Sequence, residues 1–179
     1  MLMRWFVCFI VISFSCFWFS ESVYADNDLE DSSLVFSKAI DKKVQVGRSV
    51  WLYEDLSAGL GISEILTLDR NGGFYASEQN DISIGTTSSA WWVKLELENQ
   101  THQAQALFLE QAYSLIDYVE LWEKDGSGAY QVRYSGDMYP FSQRELKINS
   151  LGFKIELPAG STQTYYLRFL TNGALSIDL

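Results

Sequence analysis

Residues 90–98 leave this chain few folds to choose from. Trp91, Val93, Leu95 and Leu97 alternate there with Trp92, Lys94, Glu96 and Glu98. An extended strand sends successive side chains to opposite faces. One face of this segment is therefore wholly apolar, and the other is charged except for Trp92. Residues 105–110 form the next apolar run, and the link at 99–102 suits a hairpin. Residues 118–124 read as a further strand that stops at Asp125-Gly126-Ser127-Gly128, a strong turn signal. Residues 130–135 then return. Residues 153–157 alternate and are closed by Pro158-Ala159-Gly160. Residues 163–170 place Tyr165, Leu167 and Phe169 against Tyr166, Arg168 and Leu170. After the turn at Thr171-Asn172-Gly173 comes one more strand-like run, residues 174–179.

Upstream, residues 44–53 are β-branched and aromatic, broken by Gly47. Residues 63–68 suit one short helical turn capped by Ser63, and residues 69–73 read as a turn. No long stretch has a clean period of 3.6 residues. Short strands separated by turn signals indicate an all-β sandwich or barrel.

The N-terminus reads as an address. Arg4 precedes an apolar run over residues 5–19, and Val23-Tyr24-Ala25 offers an A-x-A-like cleavage site. The run is shorter than the roughly 20 residues that cross a bilayer as a helix. Phe14, in Ser13-Phe14-Ser15, makes a poor lipobox before Cys16. Residues 1–25 are thus expected to be a cleaved secretory signal, 26–43 a flexible acidic leader, and 44–179 the folded domain, in the periplasm. Both cysteines, Cys8 and Cys16, fall in the signal. The mature chain then has neither disulfide nor thiol nucleophile, and packing alone must hold it. A net charge of −10 without a basic cluster disfavours nucleic acid as a partner.

Enzyme chemistry finds little to work with. His102 is the sole histidine, in a polar stretch that reads as an exposed turn. No G-x-S-x-G pattern supplies a nucleophile, and one histidine without mature cysteine makes a poor zinc site. Glu96, Glu98, Glu110 and Glu120 could supply the two acids of a glycosidase, but carboxylates on the wet face of a sheet are ordinarily solvated. Asp69-x-Asn71-Gly72 resembles a calcium loop without its closing Glu; a plain turn is the simpler reading. Asn99-Gln100-Thr101 matches a glycosylation acceptor. No catalytic residue, metal or cofactor is expected.

Several segments, in order, resemble one known family. Ile62-Ser63-Glu64-Ile65-Leu66 with Phe74 is similar to its opening, and Trp92-Val93-Lys94 through Asn99 to its W-x-[RK]-x-x-x-x-N strand. Leu109-Glu110 with residues 116–122 resembles its next hairpin, and Pro140-Phe141-Ser142-Gln143-Arg144 its Pro-Phe-x-x-Arg loop. Residues 153–157, Gly160, 165–168 and 173–179 resemble its closing strands. The family is the second type of extracellular domain from bacterial seven-transmembrane receptors with diverse intracellular signalling modules. The resemblance implies a two-sheet antiparallel jelly-roll β-sandwich, similar to carbohydrate-binding modules. It also implies a sensor of carbohydrate or another small polar ligand, working with a membrane receptor.

Four residues are candidates for contacting such a ligand. Trp92 and Trp122 share faces with charged residues, Lys94 beside the first and Glu120 beside the second. An indole beside polar groups can stack on the C–H face of a pyranose; it can equally pack beneath a loop. Lys94 adds a cation to that face. Arg144 offers a planar fork for a carboxylate or hydroxyls, or a salt bridge to Asp117 or Glu110. The other functional class is a periplasmic structural or protein-docking domain. The expected mature protein begins at Asp26, and its intact mass after expression checks this; a product that retains Met1 contradicts it.

Overall fold

A computed structural model describes residues 33–39 and 42–179. The expected signal segment, Cys16 and most of the leader lie outside them. Eleven strands and one α-helix are present among the described residues. They are β1 (Leu34–Phe36), β2 (Val50–Asp55), α1 (Ile62–Arg70), β3 (Tyr75–Ala76), β4 (Ile82–Thr86), β5 (Ala90–Asn99), β6 (Gln105–Gln111), β7 (Tyr118–Lys124), β8 (Tyr130–Ser135), β9 (Leu151–Leu157), β10 (Ser161–Leu170) and β11 (Ala174–Ile177).

The fold is an all-β sandwich. Its large layer has the strand order β3-β2-β5-β10-β7-β8, all antiparallel. β1 runs parallel to the far end of β5, pairing Leu34 with Leu97 and Phe36 with Asn99. A strand in this position was not expected, because residues 26–43 read as leader. The opposing layer consists of two antiparallel pairs, β6 with β9 and β4 with β11. Gln111 stitches the two pairs together. Its Nε2 donates to the Ser176 carbonyl at 2.7 Å, and its Oε1 accepts from the Asp178 N–H at 2.9 Å. The Ala112 N–H adds a backbone bond to the Asp178 carbonyl.

The alternation of β5 appears as read. Trp91, Val93, Leu95 and Leu97 are buried between the layers with Phe153, Ile155, Leu157, Tyr165, Leu167 and Phe169. Asn99 closes this core at one corner. Its Nδ2 lies within hydrogen-bonding distance of the Gln103, Leu157 and Pro158 carbonyls, at 2.9, 3.1 and 3.0 Å. Its Oδ1 accepts from the N–H and hydroxyl of Thr101.

The outer face of the large layer departs from the reading. Residues 63–68 are more than a single turn: α1 runs for nine residues and lies across this face. Gly61, not Ser63, stands at its N-cap, and its N–H donates to the Glu64 carboxylate at 3.2 Å. At the other end Gly72 takes φ +71°, and the Gly73 N–H reaches back to the Leu68 carbonyl at 2.9 Å, which satisfies an orphan carbonyl of the last turn. Ile65 of α1 packs with Trp92 and Tyr166 in a second apolar cluster, edged by Tyr53, Leu60, Phe74 and Trp122.

Asp55 anchors the approach to this helix. Its carboxylate accepts from the Ser57 N–H and hydroxyl at 3.0 and 2.6 Å, and from the Leu60 N–H at 2.9 Å. Burial alone would raise the Asp55 carboxyl. The bonds from Ser57 and Leu60, with the charge of Arg168, outweigh that and hold it below its ordinary 3.8.

Two outcomes are expected. Trp92→Ala should cost about 3–5 kcal/mol, as truncation of a buried Trp does, read as a shift of the denaturant midpoint. A depressed carboxyl contributes stability that is present above its unfolded pKa of 3.8 and is lost as pH falls through the lower folded value. The stability gap between the native chain and Asp55→Asn should therefore narrow as melts are run at successively lower pH below 3.8.

Candidate functional site

The outer face of the large layer is read most easily as rows of residues across its strands. One row runs Trp51, Lys94, Tyr166, Trp122 and Val132; the next runs Tyr53, Trp92, Arg168, Glu120 and Tyr134. α1 covers part of both. Where it stops, an open recess of about 590 Å³ remains between the helix and β5, β7, β8 and β10. Asp69, Glu96, Tyr130, Thr164, Tyr166 and Lys124 line it.

Lys94 ties together two of the lining acids, Asp69 and Glu96. Its ammonium lies 3.1 Å from Asp69 and 3.2 Å from Glu96, and 5.0 Å from the centre of the Trp51 ring. Burial would lower the Lys94 pKa, but bonding to Asp69 and Glu96 outweighs it and holds the amine above its ordinary value. The Tyr166 hydroxyl donates to the other Asp69 oxygen at 2.7 Å. Burial and then this bond push the Tyr166 phenol well above its ordinary range. Asp69 thus joins the last turn of α1 to two strands of the sheet. The Tyr130 ring meets the Tyr166 ring edge-on at 5.9 Å, and Lys124 stands 5.7 Å over Tyr130.

The four sequence-derived candidates are placed differently from one another. Trp92 is on the expected face but fully covered, with 0% exposure. Its ring lies under α1 and 6.0 Å from the Arg168 guanidinium, so it cannot stack on a ligand. The expectation of a ligand on Trp92 is corrected: the indole is packing. Lys94 is not in the lining of the recess but holds two of its acids, Asp69 and Glu96. Trp122 flanks it, half-buried, with its indole N–H given to Glu120 at 2.9 Å. Glu120 also receives Arg168 at 3.0 Å, and Arg168 reaches the Ala58 carbonyl at 2.7 Å. Arg144 is elsewhere, in the loop between β8 and β9. It pairs with Asp137 at 3.4 Å and lies over Phe141 at 5.7 Å, instead of bridging to Asp117 or Glu110.

Sequence reasoning missed Asp69, Tyr130 and Tyr166. Tyr166 had a usable signal, since it alternates onto the face of Arg168. Asp69 had none, because its partners are 25 and 97 positions away.

The two acids of the recess share the Lys94 ammonium, and its other polar groups are two phenols, the hydroxyls of Ser63, Thr67 and Thr164, the Lys124 amine and the Arg70 guanidinium. Those are hydrogen-bonding partners for hydroxyl-rich molecules. His102 is exposed in the β5–β6 turn, away from these groups. No cluster of three or more metal-ligating side chains occurs among the described residues, and the Asp69-x-Asn71-Gly72 stretch is a helix end. No helix among them is long and apolar enough to cross a membrane.

A comparison with the curated proteins gives no match. The family described as 7TMR-DISM extracellular 2 matches residues 47–179, the whole sandwich apart from β1 and the segment leading to β2. The chain therefore belongs to the 7TMR-DISM extracellular 2 family, the extracellular sensor-type domains of seven-transmembrane receptors.

Proposed function

We propose that this domain is a periplasmic ligand sensor whose recess beside α1 takes a carbohydrate or a related small polar ligand, and whose occupancy is passed to a membrane receptor. The observation that carries the reading is the convergence of Asp69, Glu96, Tyr130 and Tyr166 on one open recess, with both acids held by Lys94. Phenol rings offer apolar surface to a sugar ring, and the charged groups offer strong partners to its hydroxyls. Millimolar sensing requires only about −4 kcal/mol in total, which one ring contact and a few hydrogen bonds can supply.

An exposed patch favours a second reading, docking of a partner protein. Tyr118 and Tyr134 are exposed on β7 and β8, and the Tyr139 ring sits 5.9 and 6.0 Å from theirs. Met138 and Phe141 are also exposed, in the loop that follows β8. Gly136 makes this loop possible: it takes φ +137°, and a Cβ there would lie 2.3 Å from the Asp117 carbonyl oxygen.

A thermal-shift screen of monosaccharides, oligosaccharides and small organic acids tests the first reading. A ligand at 100 times its Kd adds about 2.7 kcal/mol, which is a rise of roughly 5–10 °C in Tm for a domain of this size. Glu96→Gln should weaken a hit at least tenfold while leaving the apparent Tm of the free protein within a few degrees. A hit that binds Glu96→Gln as well as the native chain is not held in this recess. Binding to a receptor partner that is lost in Tyr134→Ser and kept in Glu96→Gln would instead favour docking.

A further inference from the structure

A second opening lies on the other side of the sandwich, between the layers. It is a crevice of about 400 Å³, within the range of roughly 300–1,000 Å³ usual for small-molecule sites. Its floor is the core itself: Leu95 and Leu97 of β5, with Leu109 and Ile155 from the opposing layer. Among the described residues β1 covers it only in part: Leu34, Val35 and Phe36 pair with Leu97, Glu98 and Asn99 at the end of β5. Phe108 stands 66% exposed at its lip. The polar groups are confined to the mouth, where consecutive Lys42 and Lys43 meet Glu110. Glu110 is already engaged, by the Ser150 hydroxyl at 2.6 Å and by Lys43 at 3.8 Å.

Such a lining rejects a sugar, whose hydroxyls would be buried without partners at a cost of roughly 1–3 kcal/mol each. It accepts methylenes. Two lysines at the mouth of a chain carrying −10 overall favour an anionic end. We infer that the crevice is a binding site for a single-chain amphiphile, with its acyl chain between the layers and its anionic head at Lys42 and Lys43. This site is separate from the recess beside α1 and stands whether or not that recess binds carbohydrate.

Calorimetric titration of the purified chain with hexanoate, octanoate and decanoate, each below its micellar range, tests the inference. Affinity should rise roughly fourfold per added methylene, the equivalent of about 0.8 kcal/mol per buried CH₂, until the crevice is filled. Decanol should bind more weakly than decanoate, and the double variant Lys42→Glu, Lys43→Glu should abolish that preference. Leu107→Trp, which projects an indole into the crevice, should remove binding. Glu96→Gln should leave it unchanged, which separates this site from the recess. A lysophospholipid of equal chain length shows whether a free carboxylate or a lipid phosphate is the preferred head. Absence of saturable decanoate binding, equal affinity across the chain-length series, or undiminished binding by a folded Leu107→Trp overturns the inference.

Discussion

An indole on the outer face of a sheet must be covered, and the covering of Trp92 decides how the rest of that face is built. Leaving the ring in water would forgo roughly 1.5–3 kcal/mol. Two and a half turns of helix supply the cover, through Ile65. A helix of nine residues is too short to persist alone, so it must be held from both ends. Asp55 holds the approach, and Asp69, bound to Lys94 and Tyr166, holds the exit. These holding groups are polar because they work at the margin of the apolar cluster. The recess beside α1 is lined by the same groups, so the packing of one tryptophan and the chemistry of the open site have a single origin.

How much of this was legible follows from range. β5, β9 and β10 show period-two alternation within seven to ten residues, and local pattern sufficed to orient them. The sandwich class followed. α1 was legible only as a turn, because its apolar positions Ile62, Ile65, Leu66 and Leu68 acquire meaning from a face that they meet in three dimensions. Trp92 was placed on the correct face with its fate open between cover and ligand; no local pattern decides that. Arg144 found its acid seven residues away instead of across the sheet, since the loop after Gly136 folds back on itself. β1 escaped notice because Leu34-Val35-Phe36 is too short to show a period, and its partner is more than sixty positions downstream.

The two layers are unequal in construction. The large layer is continuous through six strands, whereas the small layer is two antiparallel pairs, each joining strands distant in the chain, that meet at Gln111. A sheet interrupted in this way has edges, and unpaired edges must be managed. One edge region adjoins β1, beside the crevice; another is β8, where Arg133 reaches across to Glu145 and the Lys154 carbonyl. Charge closes the gap between layers on the β8 side, and apolar side chains leave it open on the β1 side.

Asn99 carries a consequence for making this protein in a eukaryotic secretory host. Asn99-Gln100-Thr101 is an acceptor tripeptide by sequence, yet in the fold the amide is 1% exposed and serves the Gln103, Leu157 and Pro158 carbonyls. A transferase could reach it only while the chain is still threading into the lumen. Any oligosaccharide added then would have to occupy the corner where β5, the β5–β6 turn and the end of β9 close on one another. Sugar attachment and native structure at Asn99 are thus mutually exclusive. The glycosylated fraction from such a host would be the misfolded fraction, and removing the sequon by Thr101→Ala would exchange that loss for the loss of one corner hydroxyl.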